Sequence, residues 1–334
     1  MPKILLLFCG GTISMSKNKS GALESHYTAE QFFEMEPRFK NIANIDVTIV
    51  DNIDSTNINH KQWEKIVDII AKNYKKYDGF LITHGTNTLG YTSSALSFAL
   101  PNIGKPVVLT GSQIPGEIIN SDARNNLANA LKVATLKIGG IFVVFGSKII
   151  VGCRAKKISE SELDAFKTFN DKDFGEVRIK IKINNQTRPA HNNILIVKNG
   201  FEDDVVCLTL FPGLKSKYII NLIDSGTKGI ILRAFGSGDI QYDLLPALNY
   251  AREQKVPILV TTQCPGGATM MGVNDPGLQA IKAGVIQVFD MSMEAMSTKL
   301  MWALKQGVPY KKMKTVIQTS VVGEINTDTN AKYY

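Results

Sequence analysis

The 334-residue chain is short of cysteine and histidine and has no long apolar run, and each shortage excludes a class of chemistry. Cys9, Cys153, Cys207 and Cys264 lie far apart with no CxxC pair, which argues against a zinc or redox motif and predicts free, buried thiols without disulfides. His26, His60, His84 and His191 show no ligand spacing, so no metal is expected; His84, beside an apolar run, reads as a satisfied structural histidine. No stretch approaches the ~20 apolar residues of a membrane span, and the apolar run in residues 1–8 is too short for a signal peptide. A cytoplasmic protein without a membrane partner is expected. There is no GxxxxGK[ST] loop for a nucleotide phosphate and no GxSxG elbow, and Gly236-Ser237-Gly238 lacks the third glycine of a dinucleotide loop. The net charge of +8 comes from scattered lysines, the longest clusters being Lys75-Lys76, Lys156-Lys157 and Lys311-Lys312. Without clustering or interleaved aromatics they read as a solvated surface and not as a nucleic-acid face.

Short apolar runs alternating with helical spacing are what the chain has in quantity. Runs at 3–9, 46–50, 79–82, 105–110 and 141–145 read as buried strands, and 28–35, 61–74, 89–100 and 121–136 as helices. That alternation is the pattern of a three-layer α/β domain with a mostly parallel sheet. A further strand is expected over 177–183, followed by a polar, proline-containing linker over 185–203. A second run has strands at 205–211, 229–232, 258–261 and 285–288 between helices at 216–224, 244–253 and 292–304. The expectation is two three-layer α/β domains, a larger one over 1–184 and a smaller one over 204–334. Length agrees, since single cores stop growing at ~250 to 300 residues.

Four loops that follow strands carry hydroxyls: Gly10-Gly11-Thr12, Asp54-Ser55-Thr56, Gly85-Thr86-Asn87-Thr88 and Gly111-Ser112. In open parallel sheets ligands bind at the C-terminal strand ends, which places the expected active site at that edge of the larger domain. A Thr/Asn helix cap is the competing reading of the third loop. A threonine hydroxyl is a poor nucleophile until a neighbour takes its proton, and a desolvated lysine can do so; Lys157 is the nearest candidate in sequence. Such a site would perform acyl transfer without histidine. The small, polar stretch 14–27 reads as an exposed, mobile loop able to serve as a lid.

Cys9-Gly10-Gly11-Thr12-Ile13-Ser14 resembles the TGGTI segment of bacterial-type L-asparaginases, and Thr83-His84-Gly85-Thr86-Asn87-Thr88 resembles their HGTDT signature. Thr110-Gly111-Ser112-Gln113 resembles their TGS(Q/M) segment. Asn120-Ser121-Asp122-Ala123 with Asn125-Asn126-Leu127, Arg154-Ala155-Lys156-Lys157-Ile158 and Thr298-Lys299-Leu300-Met301-Trp302 extend the resemblance over nearly the full length. The missing leader points to the cytoplasmic, type I branch. The resemblance implies a homo-oligomer built from dimers, with L-asparagine as substrate, L-aspartate and ammonia as products, and no cofactor. Residue by residue it implies Thr12 as nucleophile and Thr86 with Lys157 as the proton-handling pair. Ser55, with its neighbours Asp54 and Thr56, would hold the α-carboxylate, and position 87 the α-ammonium group. Gly11, Gly85 and Ser112 would complete the substrate site, backbone N–H groups near Gly10-Gly11 and Thr86 would receive an oxyanion, and Tyr27 would be a lid tyrosine.

The departure is Asn87, where the family has aspartate. A neutral amide keeps the shape but removes a charge that pairs with the substrate ammonium and the lysine, and losing one partner of a buried pair costs about 3 to 5 kcal/mol. The chain therefore reads as a strongly impaired asparaginase, either an Asp-to-Asn variant or a natural pseudoenzyme. Two rivals stand beside it. One is the amidase subunit of an archaeal-type tRNA-dependent amidotransferase, whose extra N-terminal domain has no room before a first strand at residue 3. The other is an asparagine- or aspartate-binding sensor without catalysis.

Overall fold

In the computed structural model the described residues are 1–12, 15–17, 23–25, 36–184 and 188–326. Tyr27, the helix expected over 28–35 and part of the expected lid and linker lie outside them. The chain divides into two compact units, Met1–Asn199 and Gly200–Tyr334.

The first unit begins with β1 (Lys3–Phe8), followed by a short antiparallel pair, β2 (Met15–Lys17) and β3 (Leu23–Ser25), inside the stretch read as loop. Next come β4 (Asn44–Ile49), α1 (His60–Asn73), β5 (Gly79–Thr83), α2 (Leu89–Ala99), β6 (Pro106–Thr110), α3 (Ala123–Ala134) and β7 (Gly140–Phe145). A hairpin-like tail follows, with β8 (Lys148–Val151), β9 (Ala155–Lys157), β10 (Phe166–Thr168), β11 (Gly175–Val177) and β12 (Ile181–Ile183). The main sheet runs β12-β11-β8-β7-β6-β5-β1-β4. Its β4-β1-β5-β6-β7 part is parallel, and β8, β11 and β12 continue it antiparallel. Every residue of β5, β6 and β7 is buried, as continuous apolar runs covered by helices on both faces require. Edge strand β4 instead has no fully buried residue.

Local sequence explains the helices. Asn59 caps α1, accepting from Lys61 N at 3.0 Å, while Gln62 Oε1 accepts from Asn59 N at 3.1 Å, and Trp63, Ile66, Val67 and Ile70 form the buried stripe. Helix α2 is buried on nearly all sides. Its small hydroxyl residues let the chain after β8 pass close by: Ser93 Oγ donates to Gly152 O at 2.8 Å, and a Cβ on Gly152 would lie 3.0 Å from Ser93 O. That close passage delivers β9, and Lys157 at its end, to the C-terminal edge of the sheet.

The second unit contains β13 (Val205–Thr209), α4 (Ser216–Asp224), β14 (Gly229–Ala234), α5 (Leu245–Glu253), β15 (Ile258–Thr262), α6 (Asp275–Lys282), β16 (Ile286–Gln287), α7 (Met293–Lys305) and α8 (Tyr310–Gln318). Its four strands are parallel in chain order around a core that includes Ile219, Leu232, Leu248 and Val260. The expected class, two α/β layers-on-sheet domains with mostly parallel strands, is what the structure has.

Three expectations need correction. The strand expected over 177–183 is two antiparallel strands, β11 and β12. Its turn, Arg178-Ile179-Lys180, contains neither glycine nor proline to announce it, and Ile179 is fully exposed there. The thiols are not all buried: Cys9 and Cys153 are, but Cys207, on edge strand β13, and Cys264 are exposed. Helices α6 and α8 and strands β8, β9 and β10 are additions to the expected elements. Among the described residues no helix is long and apolar enough to cross a membrane.

Candidate active site

Phe8, Ile49, Thr83 and Thr110, the last residues of four parallel strands, are in register with one another. The four hydroxyl-bearing loops therefore leave the sheet from one level. Glycines let them interlock. A Cβ on Gly10 (φ +81°) would lie 2.9 Å from Ile53 N, and one on Gly11 (φ +94°) only 2.5 Å from Gly85 N. A Cβ on Gly85 would lie 2.6 Å from Ser55 Oγ, and one on Gly111 only 2.3 Å from His84 O. These approaches admit no side chain, so the backbones of the four loops touch. Thr12 and Thr86 each follow a glycine at the Gly11–Gly85 contact; Thr12 is half-buried and Thr86 buried.

Lys157 enters from β9, which pairs with β10 through Phe166. Its Nζ donates to Thr86 Oγ1 at 2.8 Å and to Asn87 Oδ1 at 3.0 Å. Asn87 Nδ2 donates in turn to Thr56 Oγ1 at 3.2 Å. Asp54 Oδ1 accepts from Thr56 N at 2.7 Å, and Thr88 Oγ1 donates to Ser55 O at 2.7 Å, tying the second loop to the third. Burial lowers the Lys157 pKa from that of a free lysine, with Glu160 and Asp54 opposing the shift. A half-buried lysine eased toward its neutral form, 2.8 Å from a threonine hydroxyl, is a base–hydroxyl pair able to exchange a proton. The amide at 87 is exposed, so the pair expected there is not a buried one; both of its polar ends are occupied and it supplies no negative charge.

The structure thus brings together Asp54, Ser55, Thr56, Gly85, Thr86, Asn87 and Lys157, and sets Gly11 against them. Thr12 joins through Gly11 and not through a hydrogen bond to the lysine cluster. Ser112 follows β6; its hydroxyl is fully buried and has no hydrogen-bond partner among the described residues, so it is not bonded to the lysine cluster. Cys9, next to the glycines, is no competing nucleophile, because burial first and the nearby Asp51 second push its thiol up to about 12.

Supporting residues had no assigned role in the sequence. Asp122 accepts from Gln113 N and Ile114 N at 3.0 Å each by its nearer oxygens, and from Asn126 Nδ2 at 2.9 Å. Asn126 also donates to Gly111 O at 3.0 Å and accepts from Gly146 N at 2.9 Å. Gln113 Nε2 reaches the loop beyond Lys157, at Glu162 O, over 3.2 Å. The Asp122/Asn126 spacing of one helical turn at the start of α3 was the readable signal of this clamp.

Fold and cluster together define an α/β protein with threonines and a lysine gathered at the C-terminal edge of its larger sheet. Residues 3–189 match the family described as Asparaginase, N-terminal, and residues 204–317 match the Glutaminase/Asparaginase C-terminal domain, so the chain belongs to the asparaginase family. The solved structure of the thermostable L-asparaginase from Thermococcus kodakarensis is similar, with a TM-score of 0.89 at 34% identity over 97% of this chain and 99% of that one. L-asparaginase 1 of Escherichia coli K12 is 32% identical over 97% of this chain and 98% of its own length. A glutamyl-tRNA(Gln) amidotransferase subunit of Pyrococcus abyssi is 32% identical over the whole chain, which spans 79% of that protein.

Proposed function

We propose that the chain is an L-asparagine amidohydrolase, producing L-aspartate and ammonia, whose turnover is held down by Asn87. The observation that carries this reading is the Lys157 Nζ shared between Thr86 Oγ1 at 2.8 Å and Asn87 Oδ1 at 3.0 Å. Thr12 Oγ attacks the side-chain carboxamide carbon. The hydroxyl proton passes to the Thr86–Lys157 pair, the C–N bond breaks, and ammonia leaves with a proton, leaving an ester on Thr12. Water then attacks that ester, releasing aspartate and restoring the hydroxyl. The oxyanion of each step is received by backbone N–H groups, Thr86 N–H among them. Ser55, with the Asp54-Ser55-Thr56 backbone, holds the α-carboxylate. Position 87 faces the α-ammonium group with an amide, where a carboxylate would both bind that cation and stabilise charged Lys157. Residues 1–184 are the catalytic domain and 204–334 a second domain in a cytoplasmic homo-oligomer.

Ammonia release by the Asn87→Asp chain is the test. It should accept L-asparagine, and adding Thr12→Ala or Thr86→Val should lower the rate at least about a hundredfold, the scale of losing a proton-handling group. Retained turnover in the Thr12→Ala chain would move the nucleophile elsewhere. Two rival readings have their own support. The similarity to the amidotransferase protein favours an amidase subunit, whose substrate would be a glutamyl-tRNA-dependent system and whose free asparagine hydrolysis would be weak. The neutral Asn87 favours a sensor, which would bind asparagine or aspartate and release no ammonia even after Asn87→Asp.

A further inference from the structure

His84 follows the last residue of β5 and is completely buried. Both of its ring nitrogens are engaged: Nδ1 lies 2.8 Å from Gly85 O, and Nε2 lies 2.8 Å from Thr92 Oγ1 on α2. Trp63 Nε1, on α1, donates to the same Thr92 hydroxyl at 2.9 Å. The direction of every proton follows from what each group can do. An indole N–H only donates and a carbonyl oxygen only accepts. Gly85 O therefore requires a proton on Nδ1, which leaves Nε2 bare and makes Thr92 its donor. The chain of bonds runs one way, from Trp63 to Thr92 to His84 to Gly85 O. Burial lowers the His84 pKa to about 4, opposed by the bond to Gly85, so the ring stays neutral and keeps this tautomer at neutral pH.

The end of this relay is the peptide that joins Gly85 to Thr86. In a trans peptide C=O and N–H point in opposite directions, and the described chain has no cis bond. A carbonyl drawn toward the buried ring therefore turns the Thr86 N–H away from the interior, and among the described residues no protein acceptor takes that N–H. Glycine at 85 is required because a Cβ there would strike Ser55, yet glycine leaves its flanking peptides freest to rotate. Something else must fix the plane.

We infer that Trp63, Thr92 and His84 are positioning residues that lock the Gly85–Thr86 peptide with its N–H aimed at the reacting carbonyl, a role that rests on the amidohydrolase reading above. They touch no substrate; they act through the orientation of one donor. The test uses two replacements of His84 in the Asn87→Asp chain. An asparagine places its amide nitrogen near the site of Nδ1 and keeps the bond to Gly85 O, whereas a glutamine places its amide near Nε2 and loses it. Both remove the ring, so melting temperatures should fall together. His84→Asn should keep kcat within about threefold, and His84→Gln should lower kcat by about tenfold to a hundredfold with KM little changed, the scale of a misplaced oxyanion donor. In the unaltered chain, nitrogen chemical shifts of His84 should show a protonated Nδ1 and a bare Nε2. The opposite tautomer, or equal kcat losses for the two variants of a chain that turns over, would overturn the inference alone. An Asn87→Asp chain that releases no ammonia would overturn the amidohydrolase reading and this role with it.

Discussion

Gly11→Ala would wedge apart the two loops that carry Thr12 and Thr86. The new Cβ would lie 2.5 Å from Gly85 N, 2.7 Å from His84 C and 2.8 Å from Gly85 Cα, all backbone atoms that cannot rotate aside. Ordinary contact begins at 3.4 Å, so the loops must separate by about 3.4 − 2.5 = 0.9 Å. Overpacking of this kind costs about 1 to 3 kcal/mol, and a left-handed φ of +94° adds about 1 to 2 kcal/mol for a residue with a side chain. A displacement near 1 Å between reacting groups is worth a rate loss on the order of a hundredfold. Gly213 isolates the conformational part, since its φ of +96° is nearly the same and a Cβ there meets nothing within 4 Å. Urea unfolding should show a loss of about 2 to 5 kcal/mol for Gly11→Ala and about 1 to 2 kcal/mol for Gly213→Ala. In the Asn87→Asp chain, Gly11→Ala should cost about two orders of magnitude in ammonia release, and Gly213→Ala should cost none. Equal effects of the two alanines on stability and turnover would refute the close approach of the loops.

Lys157 should titrate at higher pH in the Asn87→Asp chain than in the chain as it stands, because a carboxylate in place of an oxygen now 3.0 Å away favours the charged amine. Carbon NMR of labelled lysine reads this directly, and an unchanged or lower midpoint would remove the proposed coupling. In the second unit, Lys299 and Glu324 form a fully buried ion pair at 2.5 Å, with Lys299 also donating to Ile317 O and Thr319 O at 2.8 and 2.7 Å. Glu324→Ala strands that ammonium and should cost about 3 to 5 kcal/mol in urea unfolding, while Lys299→Met with Glu324→Leu should recover most of it. A loss below about 1 kcal/mol for the single change would contradict the pairing. Burial pushes the Glu324 carboxyl up, but Lys299 and two backbone N–H groups outweigh it and hold the pKa below its ordinary 4.5. The pair's contribution is thus present above that value and is lost as pH falls through the lowered pKa, which thermal melts between about pH 6 and 3 would reveal.

Strands β1, β5, β6 and β7 were legible because they are buried on both faces and read as unbroken apolar runs ending in glycine or hydroxyl residues. The loops they end in were legible for the same reason, and that identified the edge where Thr86, Asn87 and Lys157 meet. Long-range contacts were not. Nothing local to His84 states that Thr92 bonds its ring or that Trp63, from another helix and 21 positions before it, bonds that same hydroxyl, since Thr92 lies on a helix buried on nearly all sides. The hairpin of β11 and β12 was missed because its turn keeps the alternation of a strand through Ile179. Exposure of Cys207 depends on its strand lying at the sheet edge, a fact of strand order and not of composition.

The proposed function is that of a side-chain amidase held down by the missing charge at position 87. Ammonia release from L-asparagine by the chain as it stands and by its Asn87→Asp variant, measured side by side, tests that most directly. Turnover by the variant is expected, with a rate at least about a hundredfold lower for the unaltered chain, the scale of losing one charged or hydrogen-bonding group that acts on the reacting substrate. Equal rates, or asparagine binding to both with ammonia from neither, would contradict it.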